Sequence, residues 1–247
     1  MSWRPVEPED AATVLLVREG EAGLEVYLTR RQESLLFLGG FTVFPGGKVD
    51  DRDRSAEQLE RCRGLSGAAA AERLPGTDGP ERAVGFFVAG FRELFEETGV
   101  LVAEDGQGCS LEEPDPERAR RLAAARIELQ DDRLGFPALL GREDLYLPLE
   151  RLFWFARWIT PAFSPRRFNT YFFLARLPAG QSPSPFSSEI AEAGWSRPEE
   201  ALERWRRGQW RMIPPTISSL DTLSRYRSWA EARASFNRPD HPRTTWP

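Results

Sequence analysis

The chain has one histidine, His241, one lysine, Lys48, and two cysteines, Cys62 and Cys109, among 247 residues. A Ser-His-Asp triad, a Cys-His pair or a histidine-rich zinc site would each need His241, which sits in a proline-rich tail, so those chemistries are not expected. Neither cysteine stands in a metal-ligand spacing, and neither is expected to be a nucleophile. No run of about eighteen apolar residues occurs, so no membrane span is expected. The opening MSWRPVEPED has no basic stretch followed by an apolar one. No signal peptide is therefore expected, and the cytoplasm is the expected compartment. The net charge is only -5 and no basic stripe is visible, so nucleic acid is not an expected partner.

What is present is a folding composition, with 40% hydrophobic and 29% charged residues. TVLLV (13–17) and EVYLT (25–29) are expected strands around the turn EGEAG, and FTVF (41–44) is a third. It runs into Pro45-Gly46-Gly47, expected to be a loop whose glycines let backbone approach a ligand. Residues 51–80 are charged and alanine-rich, and are expected to be an insertion with some helix. A helix is expected from about Glu81 to Thr98, with Asp78 or Thr77 near its cap and Gly99 ending it. Further expectations are a strand from Leu101–Val102, a polar helix over Asp115–Gln130, and strands over Arg151–Thr160 and Thr170–Arg176. After a loop over 177–188 come a short helix over Pro198–Arg207 and one longer helix over Pro215–Phe236. Strands and helices alternate, which predicts an α/β domain.

The chemistry is concentrated in Phe91-Arg92-Glu93-Leu94-Phe95-Glu96-Glu97-Thr98-Gly99-Val100. On a helix, positions i, i+3 and i+4 share a face, so Glu93, Glu96 and Glu97 converge. Glu96 and Glu97 fall in the last turn, where the helix dipole disfavours each anion by about 0.3–1 kcal/mol. Arg92 offsets part of this, and a hard divalent cation bound by carboxylate oxygens would offset more. A solvated acidic face is the alternative for this string taken alone.

With the upstream Pro45-Gly46-Gly47, the pattern resembles the Nudix box, whose second half Arg92 through Val100 matches without exception. There are two departures. Asp53 stands where the box has its first glutamate, and Arg92 follows Gly47 by 45 positions rather than 14, an insertion of 31. A box split in this way resembles the coenzyme A diphosphatase-like branch. Ala156-Arg157-Trp158-Ile159-Thr160-Pro161, Pro165-Arg166-Arg167-Phe168-Asn169-Thr170 and Pro214-Pro215-Thr216 resemble further segments of that branch. Leu28-Thr29-Arg30-Arg31 and Gly40 through Gly47 match the upstream coenzyme A signature, but Leu36 stands where that signature has arginine.

The resemblance implies a Nudix α/β/α sandwich with a mixed β-sheet, as one domain over 11–236, with an insertion at about 54–80 and a tail over 237–247. It implies Mg²⁺ (Mn²⁺ as an alternative) held by Glu93, Glu96, Glu97 and the carbonyl of Gly46, with Glu189 as a further candidate ligand. Glu93, Arg92 and Glu97 are the expected catalytic groups. Either Glu93 or a downstream glutamate takes a proton from water, and Arg92 orients the helix carboxylates. Asp53 is expected to anchor the loop to the helix or to support the metal ligands. Arg31, Gly47, Lys48, Arg166 and Arg167 are candidate substrate contacts, with an ordinary surface arginine as the alternative for Arg31, Arg166 and Arg167. Trp154, Trp158, Phe172 and Phe173 either stack on an adenine or belong to the core. The expected activity is hydrolysis of a diphosphate linkage in a nucleotide derivative, foremost coenzyme A or acyl-coenzyme A. NADH, ADP-ribose and a non-catalytic nucleotide-sensing module are the alternatives, and a homodimer stays open.

Overall fold

The computed structural model describes residues 6–185 and 189–236, and the backbone of 245–246. The elements run β1 (Glu9–Gly20), β2 (Gly23–Arg31), β3 (Thr42–Val43), β4 (Gly46–Lys48), a 3₁₀ turn (Asp51–Arg54), α1 (Ala56–Leu59), β5 (Cys62–Arg63), α2 (Gly67–Arg73) and α3 (Pro80–Thr98). There follow β6 (Glu104–Asp105), α4 (Pro116–Gln130), α5 (Phe136–Arg142), β7 (Leu145–Pro148), β8 (Phe153–Ile159) and β9 (Phe168–Arg176). The chain continues through β10 (Ile190–Ser196), α6 (Pro198–Arg206), α7 (Pro214–Leu223), α8 (Trp229–Phe236) and β11 (Thr245–Trp246).

Strand β1 is the spine of the main sheet. It pairs antiparallel with β2 and β4 and parallel with β9, giving a mixed sheet in the order β10-β2-β1-β9-β8-β11. Its VLLV run (14–17) is apolar throughout because side chains alternate between two buried faces. Val14 and Leu16 enter the core layer containing Phe87, Phe91 and Leu94 of α3. Leu15 and Val17 enter the layer containing Leu202, Leu220 and Phe236 of α6, α7 and α8. Strand β9 repeats the device, with Tyr171 and Phe173 on the α3 side and Phe172 and Leu174 on the other. This is the expected α/β/α sandwich.

Several local expectations are corrected. Gly46–Lys48 is a strand rather than a loop, because its backbone pairs with Ala11–Thr13. The N-cap of α3 is Gly79 at φ 92 with no side-chain cap bond, not Asp78 or Thr77. Leu101–Val102 forms no strand; the amide and carbonyl of Leu101 bond instead to the Gln181 side chain. The long C-terminal helix is two helices, α7 and α8, separated by residues 224–228. Helix α5 and strands β7 and β10 were not anticipated. Residues 186–188 of the expected loop, and the tail apart from β11, lie outside the described residues, as does His241.

The insertion is built into the core. Ala70 and Leu74 are fully buried in the layer beneath α3. The Pro75 carbonyl accepts hydrogen bonds from the Tyr171 hydroxyl (2.8 Å) and from Arg157 (3.3 Å), tying the insertion to β8 and β9. Leu74→Ala should therefore destabilise the protein by about 2–5 kcal/mol, the cost of a core cavity. Urea denaturation checks this, and an unchanged midpoint would mean that the insertion does not share the core.

Candidate functional site

Helix α3 buries Phe87, Phe91, Leu94 and Phe95 against the sheet, which turns Arg92, Glu93, Glu96 and Glu97 toward β4. Arg92 is the hub. Its Nε and Nη2 donate to the two carboxylate oxygens of Asp53, both at 2.9 Å. Nη2 also donates to the Lys48 carbonyl at 2.8 Å. Nη1 donates to Glu93 Oε1 at 2.8 Å and to Glu96 Oε1 at 3.2 Å. Asp53 is 2% exposed, and its Oδ2 also accepts the Asp50 N–H, closing a capping box on the 3₁₀ turn. The aspartate in place of the expected glutamate thus anchors the turn to the helix.

Strand β4 meets the other end of the carboxylates. A Cβ on Gly47 would lie 2.5 Å from the Glu93 carboxylate, so glycine lets the strand approach while that carboxylate keeps its place. The Gly46 backbone N–H favours the charged form of the Glu97 carboxylate. Burial first, and then the neighbouring glutamate, push the Glu93 acid up to about 7 and the Glu97 acid up to about 8; Arg92 opposes the first, and Arg31 with the Gly46 N–H the second. The pocket is therefore short of positive charge. Among the described residues no three carboxylate, imidazole or thiol groups close into a metal cage. The donor set is nonetheless oxygen only, and under-neutralised, which fits a hard divalent cation.

Glu189 lies at the rim. Its carboxylate accepts from Arg31 Nη2 at 2.8 Å, and both charges are felt by Glu97. The structure thus gathers Glu189, Arg31 and the helix glutamates at one place, although they come from separate segments of the chain.

A cavity of about 1030 Å³ adjoins this cluster. Gly46, Gly47 and Lys48 line it, so β4 is shared between the cavity and the glutamates. Its floor is β1 and β9 (Ala11, Thr13, Thr170, Phe172), one wall includes Phe37 and Arg166, and the opposite wall is α6 and the start of α7. Arg166 stacks over the rings of Phe37 and Phe168, at 5.5 and 5.9 Å. Lys48 reaches the cavity while its ammonium pairs with Glu9. Trp158 and Phe172 face the cavity, whereas Trp154 and Phe173 belong to the core.

Arg167 departs from expectation. It does not line the cavity, and its guanidinium is committed to the carbonyls of Thr160 (2.9 Å) and Val6 (2.7 Å). Trp205, read from sequence as packing, lines the cavity instead. No periodic signal marks it, because the wall forms only when α6 folds back across the sheet. Leu36, which replaces the signature arginine, is fully exposed. Among the described residues no helix is long and apolar enough to cross a membrane.

Gly47→Ala should leave the fold intact, since the flexible Glu93 side chain can move aside, but should displace that carboxylate. We expect the melting temperature to stay within about 5 °C of wild type, a shift of order 1 kcal/mol. Any divalent-cation-dependent turnover should fall at least about tenfold. Unchanged turnover would show that Glu93 need not sit against β4.

A family model described as NUDT19 Nudix domain matches residues 69–223, a range that starts inside the insertion and leaves out Gly47 and Asp53. A Homo sapiens protein named acyl-coenzyme A diphosphatase NUDT19 is 30% identical, over 85% of this chain and 63% of its own length. A Caenorhabditis elegans protein named putative nudix hydrolase 7 is 28% identical, over 92% of this chain and 63% of its own length. The chain thus spans less than two thirds of these relatives. The crystal structure of a NUDIX hydrolase from Alicyclobacillus acidocaldarius superposes with a TM-score of 0.74 at 28% identity, covering 93% of this chain and 97% of that one.

Proposed function

Because this chain belongs to the Nudix hydrolases, in the branch of the NUDT19 Nudix domain, we propose that it hydrolyses the diphosphate linkage of coenzyme A or an acyl-coenzyme A, using Mg²⁺. The observation that carries this reading is the carboxylate cluster of α3 pressed against Gly46 and Gly47, with a large cavity on the same strand. The name of the human relative, an acyl-coenzyme A diphosphatase, supports the choice of substrate.

Glu93, Glu96 and Glu97 would hold the cation, with Glu189 and the Gly46 carbonyl as further ligands. A bound divalent cation neutralises charge on the diphosphate oxygens and orients the attacking water. Arg31, Lys48 and Arg166 bind the anionic substrate from the cavity side, and Gly47 lets the diphosphate approach the strand. Glu93, held against β4, is the carboxylate that accepts the water proton. Arg92 holds Glu93 and Glu96 in place and contacts no substrate. No histidine is required.

The test is a Mg²⁺-dependent hydrolysis screen against coenzyme A, acyl-coenzyme A, NADH and ADP-ribose. We expect release of 3′,5′-ADP and a phosphopantetheine fragment. Cleavage of NADH or ADP-ribose alone would keep the chemistry and overturn the substrate. Nucleotide binding without any turnover would instead identify a sensor. Glu96→Gln and Glu97→Gln should each lower turnover by about two orders of magnitude in a folded protein. Wild-type rates in both variants would sink the ligand assignment. Light scattering addresses assembly, where a mass near twice that of the chain would support a homodimer.

A further inference from the structure

The acidic end of α3 poses a problem that Arg92 does not solve. A helix leaves its last four carbonyls without intrahelical partners, and that end carries the negative pole of the dipole. Here the same turn also carries Glu96 and Glu97. Three of those four carbonyls, on Phe95, Glu96 and Thr98, find partners, as does Leu94 just before them. Leu94 accepts from the Thr98 hydroxyl at 2.6 Å, Phe95 from the Gly99 N–H at 2.8 Å, and Thr98 from the Ser184 N–H at 2.7 Å. Glu96, the carbonyl of a candidate ligand residue, accepts two side-chain donors from α4: Arg126 Nε at 2.9 Å and Gln130 Nε2 at 2.6 Å.

Arg126 is 6% exposed, an unusual place for a guanidinium. Burial lowers its pKa to about 10, against the pull of Tyr27, Glu97 and Glu96, so it keeps its charge at neutral pH. Its Nη1 also donates to the Ser184 carbonyl at 2.9 Å. Gln181, three positions before Ser184, binds the amide and carbonyl of Leu101, just beyond the end of α3. One side chain therefore fastens the end of α3 to the 181–185 segment. Gly99 makes room for it: at φ 74, a Cβ there would come within 2.9 Å of Arg126 Nη1.

We infer that Arg126, assisted by Gln130, is a positioning residue that clamps the C-terminal turn of α3 against the 181–185 segment, so that Glu96 and Glu97 are held facing the site. The inference rests on the diphosphatase reading above, and it gives α4 a part in the site although α4 contributes no ligand. Misplacing reacting groups by about 1 Å can cost about a hundredfold in rate, which is the scale at which such a clamp matters.

Arg126→Met, Arg126→Lys and Gln130→Leu in the full chain test it with two readouts. The first is the split between kcat and KM for Mg²⁺-dependent cleavage of coenzyme A; the second is amide hydrogen exchange along α3 in the metal-free protein. Arg126→Met should lower kcat at least about tenfold with KM within about threefold, as expected for lost positioning rather than lost binding. Exchange over residues 96–101 should rise at least about tenfold while residues 84–91 keep wild-type protection. Arg126→Lys, which retains the charge and can still donate to Glu96, should recover most of kcat, and Gln130→Leu should lose only about two- to threefold. If Arg126→Met does not fold, the other two variants carry the comparison.

Wild-type kcat in folded Arg126→Met, or a uniform rise in exchange along the whole helix, would overturn the inference. So would equal losses in Arg126→Lys and Arg126→Met. If the wild-type protein cleaves nothing, the functional reading fails, while the exchange comparison still decides whether the clamp exists.

Discussion

Every part of the site is referred to the ion pair between Arg92 and Asp53. Asp53 fixes the turn that follows β4, and Arg92 reaches from α3 to that turn, to the Lys48 carbonyl of β4, and to two glutamates on its own helix. Both partners are nearly buried, with side chains 13% and 2% exposed. Such a pair is costly to desolvate but costlier to break, because the survivor is left charged and unpaired. The arrangement converts a set of like charges, which would otherwise repel one another, into a face of fixed orientation. The insertion starts just after Asp53, so the 31 extra residues leave the Asp53–Arg92 contact intact and pack beneath α3 instead of over the site.

The sheet supplies the other half of the geometry. Strand β1 pairs with β4 on one stretch and with β9 along its length, so the strand touching the carboxylates and the strand flooring the cavity share one rigid support. The exposed Leu36 and the ring-stacked Phe37 and Arg166 sit on loops, where substrate preference can vary without disturbing the carboxylate face.

The sequence was most informative where local periodicity and chemistry coincide. Helix α3 announces itself by Pro80 at its start, Gly99 at its end and the spacing of Phe87, Phe91 and Leu94, and the same spacing puts three glutamates on one side. The alternating burial of β1 and β9 is readable from unbroken apolar runs. Elements defined by partners distant in the chain were not readable: β4 is a strand only because β1 lies beside it, and β10 because β2 does. Arg126 looked like one of several arginines on a polar helix, since nothing within α4 reveals that the Glu96 carbonyl waits for it. Arg167 resembled a substrate contact because it neighbours Arg166, yet the bend that precedes β9 sends Arg166 to the rings of Phe37 and Phe168 and Arg167 to the carbonyls of Thr160 and Val6.

The central claim is that Asp53 and Arg92 act as one unit that orients the glutamates. A double-mutant cycle with Asp53→Ala and Arg92→Ala, read by chemical denaturation, measures this directly. The account predicts that each single change is strongly destabilising, and that the double variant is less so than their sum, with a coupling of at least about 2 kcal/mol. Additive effects, with coupling near zero, would contradict it.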